Sequence, residues 1–176
     1  KRGERSLANS GGILGWPETH FDWVRPGIML YGCSPFNQGV GADVGLRPVM
    51  TLASRLIAIN HYAAGEAIGY SGVWRCPRDS RIGVVAIGYG DGYPRHAPSG
   101  TPVWVNGQRV PLVGRVSMDL ITVDLSDLPA AQVGDPVVLW GRDLPAEEIA
   151  AKVGTITYEL FCKVTPRVVV VETDEG

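Results

Sequence analysis

From Val49 onward, short β-rich runs recur at intervals of roughly ten to fifteen residues, and this constrains the chain most. Such spacing is that expected of an antiparallel barrel or sandwich. The runs cover 50–60, 81–88, 103–105, 108–112, 120–124, 136–140 and 167–172. Between the third and fourth stands Asn106-Gly107, a pair that tolerates the positive φ angles of a two-residue type I′ hairpin. One helix interrupts the pattern: Asp143 caps, Pro145 opens the first turn, Glu147 and Glu148 suit the positive end, and Gly154 terminates it. A second, short helix is expected from Tyr158.

Residues 1–36 have a different texture. They hold SLANSGG (6–12), a helical-turn region from Trp16 to Trp23, and WVRPGIMLYG (23–32). The nearly continuous apolar run from Ile28 to Tyr31 predicts a buried strand of a sheet covered on both faces. The stretch 37–48 is rich in glycine and polar residues and reads as a linker, with a new domain starting near Val49. The expected division is an α/β piece over 1–40 and a β-rich domain over 41–176. The start without Met, inside a strand and its following loop, reads as that of a fragment.

Charge narrows the function classes. Sixteen basic and 18 acidic residues give a net charge of −2, which supplies no basic field for nucleic acid or an anionic membrane. No apolar run approaches the roughly 18 residues of a membrane span, and KRGERSLANSGG is not a signal peptide. Cys33, Cys76 and Cys162 are odd in number and show no CxxC spacing, pointing to a reducing, cytoplasmic setting without a disulfide framework or zinc site. His20, His61 and His96 stand apart from acidic and cysteine partners, so neither a metal site nor a hydrolytic triad is indicated.

Taken singly, the polar motifs have bland explanations. IGYGDGYPR (87–95) lacks the lysine and hydroxyl of a phosphate loop and reads as a tight turn, though Tyr89, Asp91 and Tyr93 make it unusually polar. Tyr70 in GEAIGYSG (65–72) reads as an interfacial tyrosine, since no local positive charge would bring its hydroxyl toward acid–base work. Met118 in VGRVSMDL (113–120) suits core filling, with a backbone amide to offer. Arg25 sits in an apolar setting that demands a partner, most simply a salt bridge.

Taken together, LANSGG, VRPGIMLYG, GEAIGYSG, AIGYGDGYPR, VGRVSMDL and TITYELFCKVTPR occur in an order and spacing that resemble alanine racemase over nearly the whole chain. The resemblance implies a pyridoxal phosphate enzyme that interconverts L- and D-alanine, supplying D-alanine for peptidoglycan. It implies the last βα elements of a (β/α)8 barrel followed by a β-barrel-like C-terminal domain, with roughly half the enzyme missing, including the lysine that forms the Schiff base with the cofactor. Lys1 and Lys152 lie outside these motifs, Lys163 lies within TITYELFCKVTPR, and the resemblance gives none of the three that role.

By the same resemblance, Ser10 and the amides of Gly27 and Ile28 hold the cofactor phosphate, joined by the Tyr158 hydroxyl. Arg25 faces the pyridine nitrogen. Tyr70 is the catalytic tyrosine, acting from the face opposite the lysine. Met118 offers its amide to the substrate carboxylate, Tyr89 gates substrate access, and Asp119 belongs to the same region. Partners implied are the N-terminal barrel portion and a second subunit, in a homodimer where Tyr70, Met118 and Tyr89 serve in trans. Two rivals stand beside this reading: a related racemase acting on serine or a larger amino acid, and a non-catalytic β-barrel interaction module. The acidic balance and the lack of interleaved basic and aromatic residues weigh against the second.

Overall fold

The computed structural model describes residues 3–173. Strand β1 (Ser6–Asn9) leads into helix α1 (Ser10–Gly15), and the chain returns through a 3-10 turn at Pro17–Thr19 to β2 (Trp23–Arg25), which pairs parallel to β1. Parallel neighbours need such a crossover, so this is a small βαβ unit. Asn9 caps α1 by accepting from the Gly12 N–H at 3.0 Å.

The expected strand over Ile28–Tyr31 is instead a 3-10 turn. Pro26 has no N–H to give a ladder, so the strand stops at Arg25, and Gly32 closes the turn in the left-handed region at φ 81°. Nor is the segment covered on both faces, because Trp23, Val24 and Leu30 are exposed while Ile28 is buried.

The remainder is a barrel. Strands β3 (Leu52–Tyr62), β6 (Ser80–Val85), β7 (Pro102–Val105), β8 (Gln108–Pro111), β9 (Ile121–Asp124) and β10 (Pro136–Trp140) form one sheet in the order β8-β7-β10-β3-β6-β9. Every pairing is antiparallel, and a bridge between Leu112 and Val123 brings the two edge strands together. Near-closure removes exposed edges. Two short strands, β4 (Ala67–Ile68) and β5 (Trp74–Arg75), make a separate hairpin. The β7–β8 turn has φ 46° at Asn106 and 79° at Gly107, the two positive angles that a type I′ turn requires.

Alternate residues point inward: Val103 and Val105, Ile121 and Val123, Val137 and Leu139 are all buried. Helix α2 (Ala146–Val153) covers this core with Ile149, Ala150 and Val153, and ends at Gly154 in the left-handed region. Pro145, not Asp143, occupies its N-cap. Helix α3 (Thr157–Lys163) follows. Glu147, at the start of α2, accepts from the N–H groups of Ser34 and Gly41 at 2.9 Å each, pinning the segment that joins the βαβ unit to the barrel.

No strand forms over 167–172. Val169, Val170 and Val171 are strongly exposed, and the β-prone side chains find no neighbouring strand to pair with among the described residues.

Candidate active site

Two groups of the expected residues come together, each on its own part of the fold. The first is a cup at the end of the β1–β2 pair. Ser10 is buried, and its Oγ accepts from the Gly27 N–H at 2.8 Å and the Met29 N–H at 3.4 Å. With both lone-pair directions used, its hydroxyl proton is free to donate outward. Ile28 is the first residue of its 3-10 turn, so its N–H precedes the turn's own ladder, and no described residue accepts from it. At Gly27 a Cβ would meet nothing nearer than Ser10 Oγ at 3.8 Å, which leaves the approach to the Ile28 amide open, while the Gly27 N–H is itself taken by Ser10 Oγ.

Arg25 lies beside this cup, paired in register with Asn9. Its guanidinium donates to Ser6 Oγ at 2.7 Å and to the Leu7 carbonyl at 3.3 Å. It is exposed and has no acidic partner among the described residues, where the salt bridge suggested by an apolar setting does not form. Ser6 and Leu7 instead hold it by neutral acceptors, leaving its charge uncompensated on that side.

The second group is a platform on the barrel rim. The 3-10 turn Tyr89–Asp91 lies against the loop before β9: Tyr89 N–H donates to the Ser117 carbonyl at 3.0 Å and Gly90 N–H to the Met118 carbonyl at 2.8 Å. Glycine at position 88 permits this approach, because a Cβ there would overlap the carbonyls of Ser117 and Met118. Asp91 Oδ2 accepts from Gly88 N–H at 2.9 Å and closes the turn. Met118 spends its carbonyl on Gly90, while no described residue accepts from its own N–H. Arg95 sits over the Tyr89 ring at 5.9 Å.

Tyr70 stands at the head of a 3-10 turn (Tyr70–Gly72) and is 70% exposed, and its hydroxyl makes no hydrogen bond among the described residues. The turn is unusual: Ser71 takes φ 62°, and Gly69 comes close to the Gly114–Arg115 backbone. The loop carrying Tyr70 therefore leans on the same 113–120 segment that presents Met118 and Asp119. Tyr70, Met118, Tyr89 and Asp119 share one rim; Ser10, Arg25, Gly27 and Ile28 share the cup.

Tyr158 lies on α3 one turn before Phe161, whose ring meets Tyr31 of the Ile28–Tyr31 turn with centroids 5.5 Å apart. Phe161 in turn faces Trp140 at 6.5 Å, and Trp140 stacks on Tyr93 at 6.2 Å. An aromatic run thus passes from the cup's turn through α3 and β10 to the Tyr89 loop. Burial pushes the Tyr93 hydroxyl well above the ordinary tyrosine range.

Two residues to which the sequence reading gave no part in the site matter to this arrangement. Glu147 pins the linker, as described, and Arg167 joins Asp91 to Asp119 through Nε–Oδ1 at 3.3 Å and Nη2–Oδ1 at 2.5 Å. Two acids on one polar rim signalled the need for a cation, but 76 residues of chain separate Asp91 from Arg167 and no periodicity links them.

Comparison with known proteins bears on both groups at once. Residues 49–172 match the family model described as alanine racemase, C-terminal domain, and residues 1–35 match that of the alanine racemase N-terminal domain. An alanine racemase of Nitrosococcus oceani is 63% identical over 93% of this chain and 46% of its own length. The crystal structure of the biosynthetic alanine racemase from Pseudomonas aeruginosa superposes with a TM-score of 0.93 at 54% identity, over 96% of this chain and 47% of that one. The alanine racemase from Bartonella henselae with covalently bound pyridoxal phosphate gives a TM-score of 0.86 at 35% identity, over 95% of this chain and 46% of that one. The chain spans about half the length of the curated relatives it matches. With both family models meeting on one short chain, and the cup and the platform each falling within a matched stretch, this chain belongs to the alanine racemase family.

Proposed function

We infer that this chain forms the C-terminal part of a pyridoxal phosphate-dependent racemase that interconverts L- and D-alanine. The observation that carries the reading is the cup: a buried hydroxyl with its proton to spare, beside an uncommitted amide and a residue without a side chain, is a cradle for a phosphate. The donor set fits pyridoxal phosphate. The Ser10 hydroxyl and the free Ile28 amide would bind its phosphate, the Gly27 amide would join them by turning from Ser10 Oγ, and Tyr158 would add its hydroxyl from α3.

When bound, pyridoxal phosphate supplies the electron withdrawal that acidifies the alanine Cα–H. Arg25 orients the cofactor ring by donating to its nitrogen. A guanidinium stays protonated and surrenders no proton there, which disfavours transamination. Tyr70 moves a proton at Cα on one face, and a lysine of the barrel portion, beyond this chain's own three lysines, does so on the other. Two acid–base groups on opposite faces invert the centre without rotating it. Met118 holds the substrate carboxylate with its free N–H, and Tyr89 with Asp119 frames the access route.

The platform's outward-facing Tyr70 and Met118 N–H suit a site completed by another chain, so Tyr70, Met118 and Tyr89 serve the partner's site in a homodimer while Ser10, Arg25 and Tyr158 serve their own. The division into a barrel end over 1–40 and a β-rich domain over 41–176 follows the same reading. No helix among the described residues is long and apolar enough to cross a membrane, and the three free cysteines suit a reducing cytoplasm.

A hybrid enzyme tests this, with residues 1–176 replacing the matching part of the Nitrosococcus oceani relative. It should racemise alanine. Mixing two dead hybrids, one with Tyr70→Phe and one lacking the barrel lysine, should restore about a quarter of the parent activity, because about half the dimers are mixed and each mixed dimer holds one intact site. No recovery after demonstrated subunit exchange would place Tyr70 in its own subunit's site.

A further inference from the structure

The platform offers an N–H to a carboxylate, yet Asp119 is the very next residue after Met118, and Asp91 lies two residues after Tyr89. Left bare, these two acids would repel an anionic substrate at the place where it must bind. Arg167 meets both of them, with Nη2 on Asp119 at 2.5 Å and Nε on Asp91 at 3.3 Å. The pairing is built into the backbone as well. A Cβ at Gly90 would overlap Arg167 Nη1, so glycine is what lets the cation sit there. Thr165, two residues ahead of it, donates its N–H to the Asp91 carbonyl at 3.1 Å and its hydroxyl to the Gly90 carbonyl at 2.9 Å. Those bonds fasten the segment carrying Arg167 onto the Tyr89 turn. Asp91 itself is held by its second oxygen on Gly88 N–H.

We propose that Arg167 is a positioning residue for the racemase reaction: by clamping Asp91 and Asp119 it cancels their charge beside the substrate carboxylate and fixes the Met118 amide against the Tyr89 turn. This rests on the function proposed above. Only a fork-shaped cation spans two carboxylates on separate loops in this way, which distinguishes it from a lysine. The charge acts on the binding of the anion and not on the proton transfers at Cα. Its loss therefore belongs in KM more than in kcat.

The hybrid enzyme separates the two. Arg167→Met should raise KM for alanine roughly tenfold while kcat changes by less than about threefold, the size expected for uncovering charge on a solvated rim. Adding Asp119→Asn should bring KM back by more than half, and Arg167→Lys should fall between parent and Arg167→Met. A packing role alone would not respond to removal of the second charge. An unchanged KM in Arg167→Met, or a double variant no better than the single one, overturns the proposal. In the 176-residue chain itself, Arg167→Met should accelerate hydrogen exchange at the Gly90 amide bound to Met118, and unaltered exchange there would refute the clamp. This second measurement does not depend on racemisation, so an inactive parent hybrid would sink the assigned function while leaving the clamp decided.

Discussion

The cup and the platform are built by opposite means. In the cup, the atoms that make the scaffold also make the binding surface: Ser10 Oγ both ties the Ile28–Tyr31 turn to α1 and presents its proton outward. On the platform the two duties fall to different atoms. Glycine backbone packed on carbonyls and a pair of ion pairs hold the loops, while the Tyr70 hydroxyl and the Met118 N–H hold nothing and face out. Polar groups that carry scaffold cannot be altered without cost to folding, and groups that carry none can. The division of labour follows from the supports. A closed six-stranded barrel with a buried core stands behind the platform, whereas the cup rests on two short parallel strands flanked by exposed Trp23, Val24 and Leu30.

The sharpest way to break this contrast is Tyr70→Phe. The change removes one exposed oxygen, so unfolding free energy should stay within about 0.5 kcal/mol of the parent. Racemisation by the hybrid enzyme should fall by about 10²–10⁴. Solvent-deuterium exchange at Cα, begun from each enantiomer, should be impaired from one side and preserved from the other. A matching loss of stability would show that the platform's functional atoms carry scaffold after all.

The next effect comes from making the same substitution in both regions. Gly88→Ala drives a methyl into the Ser117 and Met118 carbonyls, neither of which can move without unmaking the Tyr89 turn, and should cost about 3 kcal/mol in urea unfolding. Gly27→Ala meets only Ser10 Oγ at 3.8 Å and should cost less than about 1 kcal/mol. Its expense falls on binding, because the methyl stands at the mouth of the cup. Pyridoxal phosphate affinity should drop by about tenfold in the hybrid enzyme. Equal stability losses in the two variants would remove the distinction between an open approach and a packed one.

The barrel strands were legible in the sequence because short β-rich runs recur at close intervals, with regular alternation of burial confined to β7 and β9, and the Asn106-Gly107 turn because two adjacent positive φ angles select those residue types. Pro136–Trp140 falls where the pattern placed it, and the other five sheet strands differ mainly at their ends. The N-terminal piece was read less well. A continuous apolar run does not distinguish a buried strand from a turn that buries one residue in four, and Pro26 decided between them at Ile28–Tyr31. At Arg167 to Glu172 a run of valines carries strong β-propensity, but a strand also requires a partner, and propensity does not supply one. The proposed site residues were found by motif order. Periodicity would have left Tyr70 as an exposed aromatic and Met118 as a loop residue. Arg167 had no local signal, since its role exists only once two loops and the segment after α3 meet.

The smallest effect lies at the seam between the two regions. Cys33 follows the cup's turn, is buried, and sits beside Glu147 of α2, the carboxylate that accepts from Ser34 and Gly41 N–H. Burial, with the Glu147 charge and hydrogen bond adding to it, pushes the thiol up to about 12 from an ordinary value of 9.0. The folded protein therefore keeps the proton over a range of pH in which the unfolded chain has released it. Stability from this source is full below about pH 9 and declines as pH rises toward about 12, since opening the seam then lets the thiolate form in water. At pH 10 the loss should be on the order of 1 kcal/mol. Cys33→Ala removes the titrating group, so urea unfolding at pH 8 and pH 10 should show the parent losing about that much more stability than the variant between the two. Equal losses would mean that the cup's junction with the barrel does not shield Cys33 from water, and that the seam opens independently of the barrel behind it.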